Sequence, residues 1–297
     1  MMKVLITGAN GLLGQKLVQL LSDEQVAFLA TSQGSSRIQT AGISYLSLDV
    51  VNREEVIQVI SEYSPAVIMH TAAMTQVDQC ETDREKCWQL NVMAVANLIE
   101  ASSLIDAHLV HLSTDFIFNG LSGPYKEEDE ANPINFYGQS KWAAEKLLYQ
   151  SNIKWSIART ILVYGATPGI SRSNIMLWVK RNLESGKSIQ VVDDQIRTPT
   201  LVEDLALGCL QIARQSANGI YHISGADLLT PYNIARITAR YFSLDASLIS
   251  KTNSEVFKQP AKRPLKTGFI IEKARKELGY EPHSFEAGLA ITASYWD

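Results

Sequence analysis

The stretch 4-VLITGANGLLG-14 decides the fold. Its first three residues are apolar and typical of a buried strand, and the glycines that follow open a helical pattern. These glycines, Gly8, Gly11 and Gly14, have a G-x-x-G-x-x-G spacing. Such a turn brings backbone N–H groups and a helix N-terminus against an anion, which suits the pyrophosphate of a dinucleotide. A purely structural turn is the alternative, and the strand and helix around the glycines favour the phosphate-binding interpretation.

The first 165 residues alternate between short apolar runs and helical patterns. We expect strands at 4–6, 26–30, 66–70, 109–112 and 156–159, and helices at 12–21, 54–62, 84–102 and 136–150. This alternation predicts an α/β fold with a Rossmann-type, doubly wound parallel sheet. In such sheets ligands bind at the carboxyl ends of the strands.

The pattern changes after residue 165, and we expect a smaller, partly discontinuous C-terminal α/β lobe that binds substrate. The polar segment 167–173 is predicted to cross between the lobes. Helices are expected at 173–185, 202–214, 230–242 and 271–278, the last being the final helix, closed by Gly279. The predicted dinucleotide-binding domain is 1–165 plus about 196–214, and the substrate lobe is about 166–195 and 215–297.

Composition excludes several classes of function. The chain has 297 residues, is 46% hydrophobic and carries a net charge of −4, so neither nucleic acid nor an anionic membrane surface is an expected partner. No apolar run approaches the ~20 residues of a membrane span, and the N-terminus lacks the pattern of a signal peptide. Three cysteines are too few for a disulfide framework, and we expect a cytoplasmic protein.

The end of the second predicted strand, 29-LATSQGSSR-37, indicates which dinucleotide binds. It lacks the carboxylate that usually holds the ribose 2′-hydroxyl of NAD, and instead offers hydroxyl groups such as Ser32 and the guanidinium of Arg37. We therefore favour NADP(H), with NAD(H) as the alternative. Asp49 is a candidate for the adenine amino group. The alternatives are a solvated loop for Arg37 and a helix N-cap for Asp49.

The stretch 135-NFYGQSKWAAEK-146 places Tyr137 and Lys141 one helical turn apart. They share a stripe with Ala144 and Leu148, so the lysine is predicted to face inward rather than to solvent. We expect its ammonium to lower the pKa of the tyrosine, which can then exchange a proton with a carbonyl oxygen. An ordinary surface helix is the alternative.

A third polar group is expected beside this pair. The apolar strand 108-HLVHLST-114 ends in hydroxyl residues. Thr114 is the predicted partner of the substrate oxygen, with Ser113 on the opposite face of the strand. Together with a nicotinamide cofactor, these residues predict hydride transfer at a carbonyl.

These motifs resemble the extended short-chain dehydrogenase/reductase family, and within it the dTDP-4-dehydrorhamnose reductases. The resemblance covers nearly the whole chain. It is carried by the glycine turn, by 137-YGQSK-141, and by four further stretches: 70-HTAAMTQVDQCE-81, 113-STDFIFNG-120, 194-DQIRTPTLVEDLA-206 and 263-RPLKTGFIIEKARKELG-279.

The resemblance implies roles for particular residues. The implied catalytic residues are Thr114, Tyr137 and Lys141. The implied or predicted cofactor contacts are Gly8, Asn10, Gly11, Leu12, Leu13, Gly14, Ser32, Arg37, Asp49, Val50, Ala72, Ala73, Thr75, Asn91, Tyr137 and Lys141. The implied substrate contacts are Thr75, Val77, Thr114, Asp115, Leu162, Asn174, Arg197 and Arg263.

The chain departs from its relatives at a few positions. Related dehydratases carry a glutamate where this chain has Phe116, and an apolar ring cannot perform acid–base chemistry. Leu162 stands where the rhamnose-forming enzymes typically have a tryptophan that packs on the sugar. Arg197 replaces a common glycine, and either grips a diphosphate or forms a salt bridge between the lobes. Some members form a metal-linked dimer through a glutamate in the first helix, where this chain has Gln15, and we expect no metal site.

The expected function is NADPH-dependent reduction of a 4-keto-6-deoxy sugar nucleotide. Two alternatives remain open at the level of sequence. One is a sugar-nucleotide epimerase that retains NAD. The other is a non-catalytic, NADP-binding regulatory subunit that resembles the β subunit of methionine adenosyltransferase. The sequence allows a homodimer.

Overall fold

The structure is a computed structural model that describes residues 2–167, 174–257 and 259–295. The predicted crossing between lobes therefore lies, apart from Thr167, outside the described residues. The strands are β1 Lys3–Thr7, β2 Ala27–Ser32, β3 Tyr45–Ser47, β4 Val67–His70, β5 His108–Thr114, β6 Trp155–Thr160, β7 Val163–Tyr164, β8 Ile189–Val192, β9 Thr200–Leu201, β10 Gly219–His222 and β11 Ile249–Thr252. The helices are α1 Leu12–Asp23, α2 Arg53–Tyr63, α3 Val77–Thr82, α4 Arg84–Trp88, α5 Ala94–Ile105, α6 Phe136–Tyr149, α7 Ile175–Glu184, α8 Val202–Arg214, α9 Pro231–Tyr241, α10 Glu272–Leu278 and α11 Phe285–Ala293.

The central sheet has seven strands in the order β10-β6-β5-β4-β1-β2-β3, and all its pairings are parallel. The chain leaves β1 toward β2 on one side and later returns to β4 on the other. This reversal opens a crevice at the carboxyl ends of β1 and β4, where ligands of doubly wound sheets bind. The predicted fold class is confirmed.

Strand alternation explains why both faces of the sheet are covered by helices. On one face, Val4, Met69 and Val110 pack with α1 and α8. On the other face, Leu5 and Leu109 pack with α2, α5 and α6. A strand buried on both faces needs a continuous apolar run, which is the pattern that these strands show.

A second, smaller group of elements lies outside the sheet. Strands β8 and β11 pair in parallel and pack with α7 and α9, where Val179, Val191 and Ala235 are buried together. Helix α9 begins as the sequence predicts, since Thr230 forms a capping box with Asn233 and Pro231 takes the first helical position. The division into two domains stays a prediction. No helix among the described residues is long and apolar enough to span a bilayer.

Two predicted helices differ from the structure. The helix expected at 84–102 is interrupted, because residues Gln89–Met93 form a π-helical turn between α4 and α5. The side chain of Asn91 in this turn is drawn into hydrogen bonds with other parts of the chain, which holds the wider turn in place. The prediction that α10 is the final helix is wrong, since α11 follows it.

Candidate active site

The glycine turn between β1 and α1 is crowded at two of its three glycines. Gly8 has a φ of +72°, and a Cβ atom there would lie 2.6 Å from the amide nitrogen of Ala72. A Cβ atom on Gly14 would lie 2.4 Å from the carbonyl oxygen of Gly8. Helix α1 then begins at Leu12 without a side-chain cap and without an acidic residue in its first turn. The turn therefore keeps helical N–H groups, including those of Leu12 and Leu13, available for a pyrophosphate.

Asn10 organises the loop that follows β2. Its side-chain amide donates to the Ser35 carbonyl at 3.0 Å and to the Tyr45 hydroxyl at 3.2 Å, and its oxygen accepts from the Arg37 amide at 2.8 Å. The Arg37 side chain is exposed, and Ser32 is half-buried at the end of β2. The loop offers hydroxyl groups and a guanidinium beside the glycine turn, the donor set that a ribose 2′-phosphate requires.

Asp49 lies after β3 and accepts hydrogen bonds from Gln33 at 3.2 Å and from the Val51 amide at 3.0 Å. The N-cap of α2 is Asn52, so the interpretation of Asp49 as a helix cap is wrong. Its neighbour Val50 is buried, and the Val50 carbonyl accepts from Asn97. The placement of Asp49 stays compatible with an adenine contact.

The loop after β4 carries Ala72, Ala73 and Thr75 past the glycine turn. Asn91 fixes this loop, because its oxygen accepts from the Met74 amide at 2.8 Å and its nitrogen donates to the Met74 carbonyl at 3.0 Å. The same nitrogen donates to Ser140 in α6 at 3.0 Å. Asn91 was predicted to contact the cofactor, but its polar atoms are engaged with the protein.

Helix α6 approaches the end of β5 closely because of a glycine. A Cβ atom on Gly138 would lie only 2.1 Å from the carbonyl oxygen of Phe116, in the turn after Thr114. Asn135 caps the helix by accepting from the Gly138 amide at 2.8 Å. Gly138 therefore allows α6 to pack closely against the turn after β5. This role of the glycine was not recognised from the sequence.

Thr114, Tyr137 and Lys141 are all buried at this junction. Tyr137 lies beside Thr114, and the ring of Phe116 meets the tyrosine ring edge-on with centroids 5.7 Å apart. The hydroxyl of Thr114 donates to Asp115 at 3.2 Å and accepts from the Phe116 amide at 3.2 Å. Ser113 points elsewhere and donates to Glu145 at 2.5 Å. The predicted inward stripe of α6 is confirmed, since Ala144 and Leu148 are buried with the pair.

The charge balance of this pair differs from the expectation. Burial raises the pKa of Tyr137 above its usual value of 10, and the neighbouring Thr114 hydroxyl only partly opposes this. Burial also lowers the pKa of Lys141 to about 8, against the attraction of Glu145. The prediction of a lowered tyrosine pKa is wrong for this structure, because the loss of hydration on burial raises it. The Lys141 ammonium instead lies 3.2 Å from Nε2 of His111, a residue that sequence reasoning missed.

Arg197 is buried beside Asp115, with Nε 3.7 Å from the carboxylate. Its other nitrogens donate to the carbonyl groups of Ile196, Pro264 and Leu265 and to Gln195. These contacts favour the salt-bridge interpretation over the grip on a diphosphate, because the fork is already occupied.

The remaining predicted substrate residues lie in three places. Arg263 forms a bidentate ion pair with Asp78, at 3.0 and 2.7 Å, and lines a cavity of about 280 Å³ together with Trp178 and Phe257. Val77 packs in the same apolar cluster as Tyr137. Leu162 follows β6, has a φ of +40° and is half-buried. Asn174 caps α7 and donates to the Gly165 carbonyl at 2.7 Å.

The described residues contain no group of three or more His, Cys, Asp or Glu side chains arranged to hold a metal ion. Gln15, the position considered for a metal-linked dimer, is buried and donates to the Asn10 carbonyl at 3.2 Å. It also accepts from Thr167 at 3.0 Å. In this structure Gln15 thus supports the glycine turn.

Comparison with known proteins identifies the family of this chain. The family described as RmlD substrate binding domain matches residues 2–295. A dTDP-4-dehydrorhamnose reductase from Aggregatibacter actinomycetemcomitans is 31% identical over 307 aligned residues, covering 99% of each chain. The β subunit of methionine adenosyltransferase 2 from Bos taurus is 32% identical over 250 residues, covering 82% of this chain and 73% of that protein.

A solved structure agrees with this assignment. The dTDP-4-dehydrorhamnose reductase of Bacillus anthracis, crystallised in complex with NADP, superposes with a TM-score of 0.88 at 31% identity, covering 99% of this chain and all of that one. The chain belongs to the RmlD substrate binding domain family, and the family resemblance seen in the sequence is confirmed.

Proposed function

We propose that this protein is an NADPH-dependent reductase that converts the 4-keto group of a 4-keto-6-deoxy sugar nucleotide into an alcohol. The observation that carries the proposal is the burial of Thr114, Tyr137 and Lys141 together at the carboxyl end of β5. This site lies beside the crevice that the glycine turn opens between β1 and β4. Full-length similarity to dTDP-4-dehydrorhamnose reductases supports the same substrate class.

The glycine turn and the start of α1 fit the proposed cofactor. Gly8 and Gly14 allow the backbone approach that the pyrophosphate requires, and the N-terminus of α1 provides N–H donors. Ser32 and Arg37 would hold the 2′-phosphate of NADPH, and Asp49 would contact its adenine. When bound, NADPH supplies the hydride that reduces the carbonyl carbon.

The protein itself supplies a proton and orients the carbonyl group of the substrate. Thr114 donates a hydrogen bond to the ketone oxygen and polarises it. Tyr137 transfers its Oη proton to that oxygen as the C=O double bond becomes a C–O single bond, which leaves an alcohol and a phenolate. The raised pKa of Tyr137 keeps the hydroxyl protonated before the reaction, so the tyrosine begins as an acid. The ammonium of Lys141, a donor with three N–H groups, would bind the cofactor ribose beside Tyr137.

The cavity beside Arg263 is the proposed place for the nucleotide. Trp178 and Phe257 offer apolar rings there, and Arg263 lines the same cavity with its guanidinium paired to Asp78. Aromatic rings suit the face of a base. The described part of the cavity wall also includes Gln190 and Gln195, whose amides suit the edge of a base.

The regulatory-subunit alternative is distinguished from the reductase by coverage and chemistry, whereas the epimerase alternative is distinguished by the substrate panel below. The methionine adenosyltransferase β subunit is matched over 73% of its length, whereas the reductase is matched over 99%. A regulatory subunit also has no need for a buried Thr–Tyr–Lys set. A homodimer and a cytoplasmic location stay predictions from the sequence.

A substrate panel tests the proposal. The purified protein is mixed with dTDP-, UDP- and GDP-linked 4-keto-6-deoxy sugars and with NADPH or NADH, and cofactor absorbance is followed with product analysis. The expected result is stoichiometric NADPH oxidation and alcohol formation, fastest with one nucleotide. Epimerised product without net cofactor use, or NADP binding without turnover on every substrate, would contradict it.

A further inference from the structure

Three buried polar side chains form a row across the sheet. Thr7, His70 and His111 occupy paired positions on β1, β4 and β5. Paired residues on neighbouring parallel strands point to the same face, and all three are at most 1% exposed. The neighbouring positions on this face are apolar, including Leu5, which packs against α2 and α5. The row is therefore a polar insertion into an apolar layer.

The row is connected and ends on Lys141. Thr7 Oγ1 lies 2.7 Å from Nδ1 of His70, the His70 and His111 rings stack at 5.4 Å with an interplanar angle of 24°, and Nε2 of His111 lies 3.2 Å from Nζ of Lys141. A charged lysine has three N–H donors and no acceptor. Nε2 of His111 must therefore accept, which leaves the ring proton on Nδ1.

The buried histidine rings lower the stability of the fold, and packing of the apolar layer does not require them. Within the described residues, Nδ1 of His111 and Nε2 of His70 have no hydrogen-bond partner. An unpaired buried polar atom is destabilising, and a leucine at position 111 would fill the same space without leaving a polar atom unpaired. Burial lowers the pKa of His111 well below its usual value and that of His70 to about 3, so both rings stay neutral.

We propose that His111 is a positioning residue that orients Lys141 by accepting one hydrogen bond from its ammonium, with His70 and Thr7 bracing the His111 ring from behind. The lysine keeps two further N–H groups for the crevice side, where the cofactor ribose and Tyr137 are placed in the proposed function. The inference rests on that function only in assigning a use to Lys141, since the hydrogen bond itself is a property of the protein alone.

The variants use a matched pair on one strand. His108 also lies on β5, is 5% exposed and bonds Ser156 at 2.7 Å, but is at the opposite end of the strand. His111→Leu removes the acceptor, His111→Gln restores an acceptor oxygen, and His108→Leu removes an equally buried imidazole away from the site. NADPH dissociation constants, kcat, substrate KM and melting temperatures are measured for each.

His111→Leu is expected to weaken NADPH binding and to lower kcat by about tenfold each, with a smaller change in substrate KM. His111→Gln recovers most of both losses, and His108→Leu lowers the melting temperature while leaving affinity and kcat near the wild-type values. Equal effects of His111→Leu and His108→Leu, or no effect of His111→Leu on affinity, would overturn the proposal.

A measurement on the wild-type protein keeps the proposal testable if the variants fail to fold. ¹⁵N NMR of the histidine rings is expected to find His111 neutral, with the proton on Nδ1 and Nε2 acting as an acceptor, and this pattern changes in Lys141→Met. A proton on Nε2 of His111 would overturn the proposal. Both NMR and NADPH affinity remain informative if no keto-sugar nucleotide is reduced, so failure of the proposed function is distinguishable.

Discussion

The side-chain amide of Asn91 donates to the hydroxyl of Ser140 at 3.0 Å, and Ser140 in turn donates to the Tyr137 carbonyl at 2.7 Å. These bonds tie the loop after β4 to the helix that carries Tyr137 and Lys141. The π-helical turn around Asn91 thus couples the cofactor side of the crevice to the proposed proton donor.

We expect Asn91→Leu to lower both stability and function. The variant leaves the amide and carbonyl of Met74 without partners, at a cost of about 2–4 kcal/mol in the free energy of unfolding. NADPH affinity falls as the loop loses its anchor. Asn182→Leu, at a half-buried asparagine of α7 whose side chain donates to the Trp178 carbonyl, serves as control for denaturant unfolding and NADPH titration. Equal NADPH affinity in the two variants would argue against the anchoring role.

Two glycines with the same backbone conformation separate crowding from backbone strain. Gly8 has a φ of +72° and Gly42 of +73°, but a Cβ atom on Gly42 would meet nothing within 4 Å. Gly42→Ala is expected to cost about 1–2 kcal/mol of stability with normal cofactor binding. Gly8→Ala adds a clash with Ala72 and should abolish NADPH binding, measured by fluorescence titration. If Gly8→Ala binds NADPH normally, the phosphate-cradle account of this turn fails.

The pair formed by Arg197 and Asp115 is expected to be structural. Burial raises the pKa of Asp115, and Arg197 opposes that rise. Arg197→Met leaves a buried carboxylate without its partner, which should cost about 3–5 kcal/mol. The double variant Arg197→Met/Asp115→Asn should recover part of this loss in denaturant unfolding. An unchanged stability with a large rise in substrate KM would instead restore the diphosphate role for Arg197.

The buried His70 predicts a dependence of stability on acid. Its pKa is about 3 in the fold, against an ordinary value of 6.5. Between pH 3 and pH 6.5, His70 is therefore protonated in the unfolded chain but neutral in the folded protein. The free energy of unfolding consequently falls as the pH drops below 6.5. The contribution of His70 between pH 7 and pH 5 is about 2 kcal/mol. His70→Asn should lose stability less steeply over this range in urea unfolding, and an identical slope in both proteins would contradict the burial argument.

The fold class could be predicted from the sequence because the motifs that indicate it are local. A glycine turn between a strand and a helix, and apolar runs alternating with helical stripes, specify a parallel sheet without knowledge of distant contacts. The same locality made the inward face of Lys141 predictable from the spacing to Tyr137 and Leu148. The interruption at Gln89–Met93 was not predictable in this way, since it depends on the contacts of Asn91 with distant residues.

The candidate site was only partly accessible from sequence for the same reason. The His70–His111 row depends on the register between β4 and β5, which periodicity does not reveal, although both histidines stand in otherwise apolar strands. The pKa of Tyr137 was predicted in the wrong direction, because a helical wheel places a charge nearby but does not measure the loss of hydration. Arg197 required the positions of the carbonyl groups that surround it.

Single-turnover reduction by Tyr137→Phe tests the central claim most directly. The NADPH complexes of the wild-type protein and the variant are mixed rapidly with the 4-keto-6-deoxy sugar nucleotide that the panel identifies, and NADPH absorbance is followed. The variant lacks the proton donor but keeps the ring, so we predict a rate reduced by about 10²–10⁴-fold with NADPH affinity within about twofold. A wild-type rate in Tyr137→Phe would contradict the account.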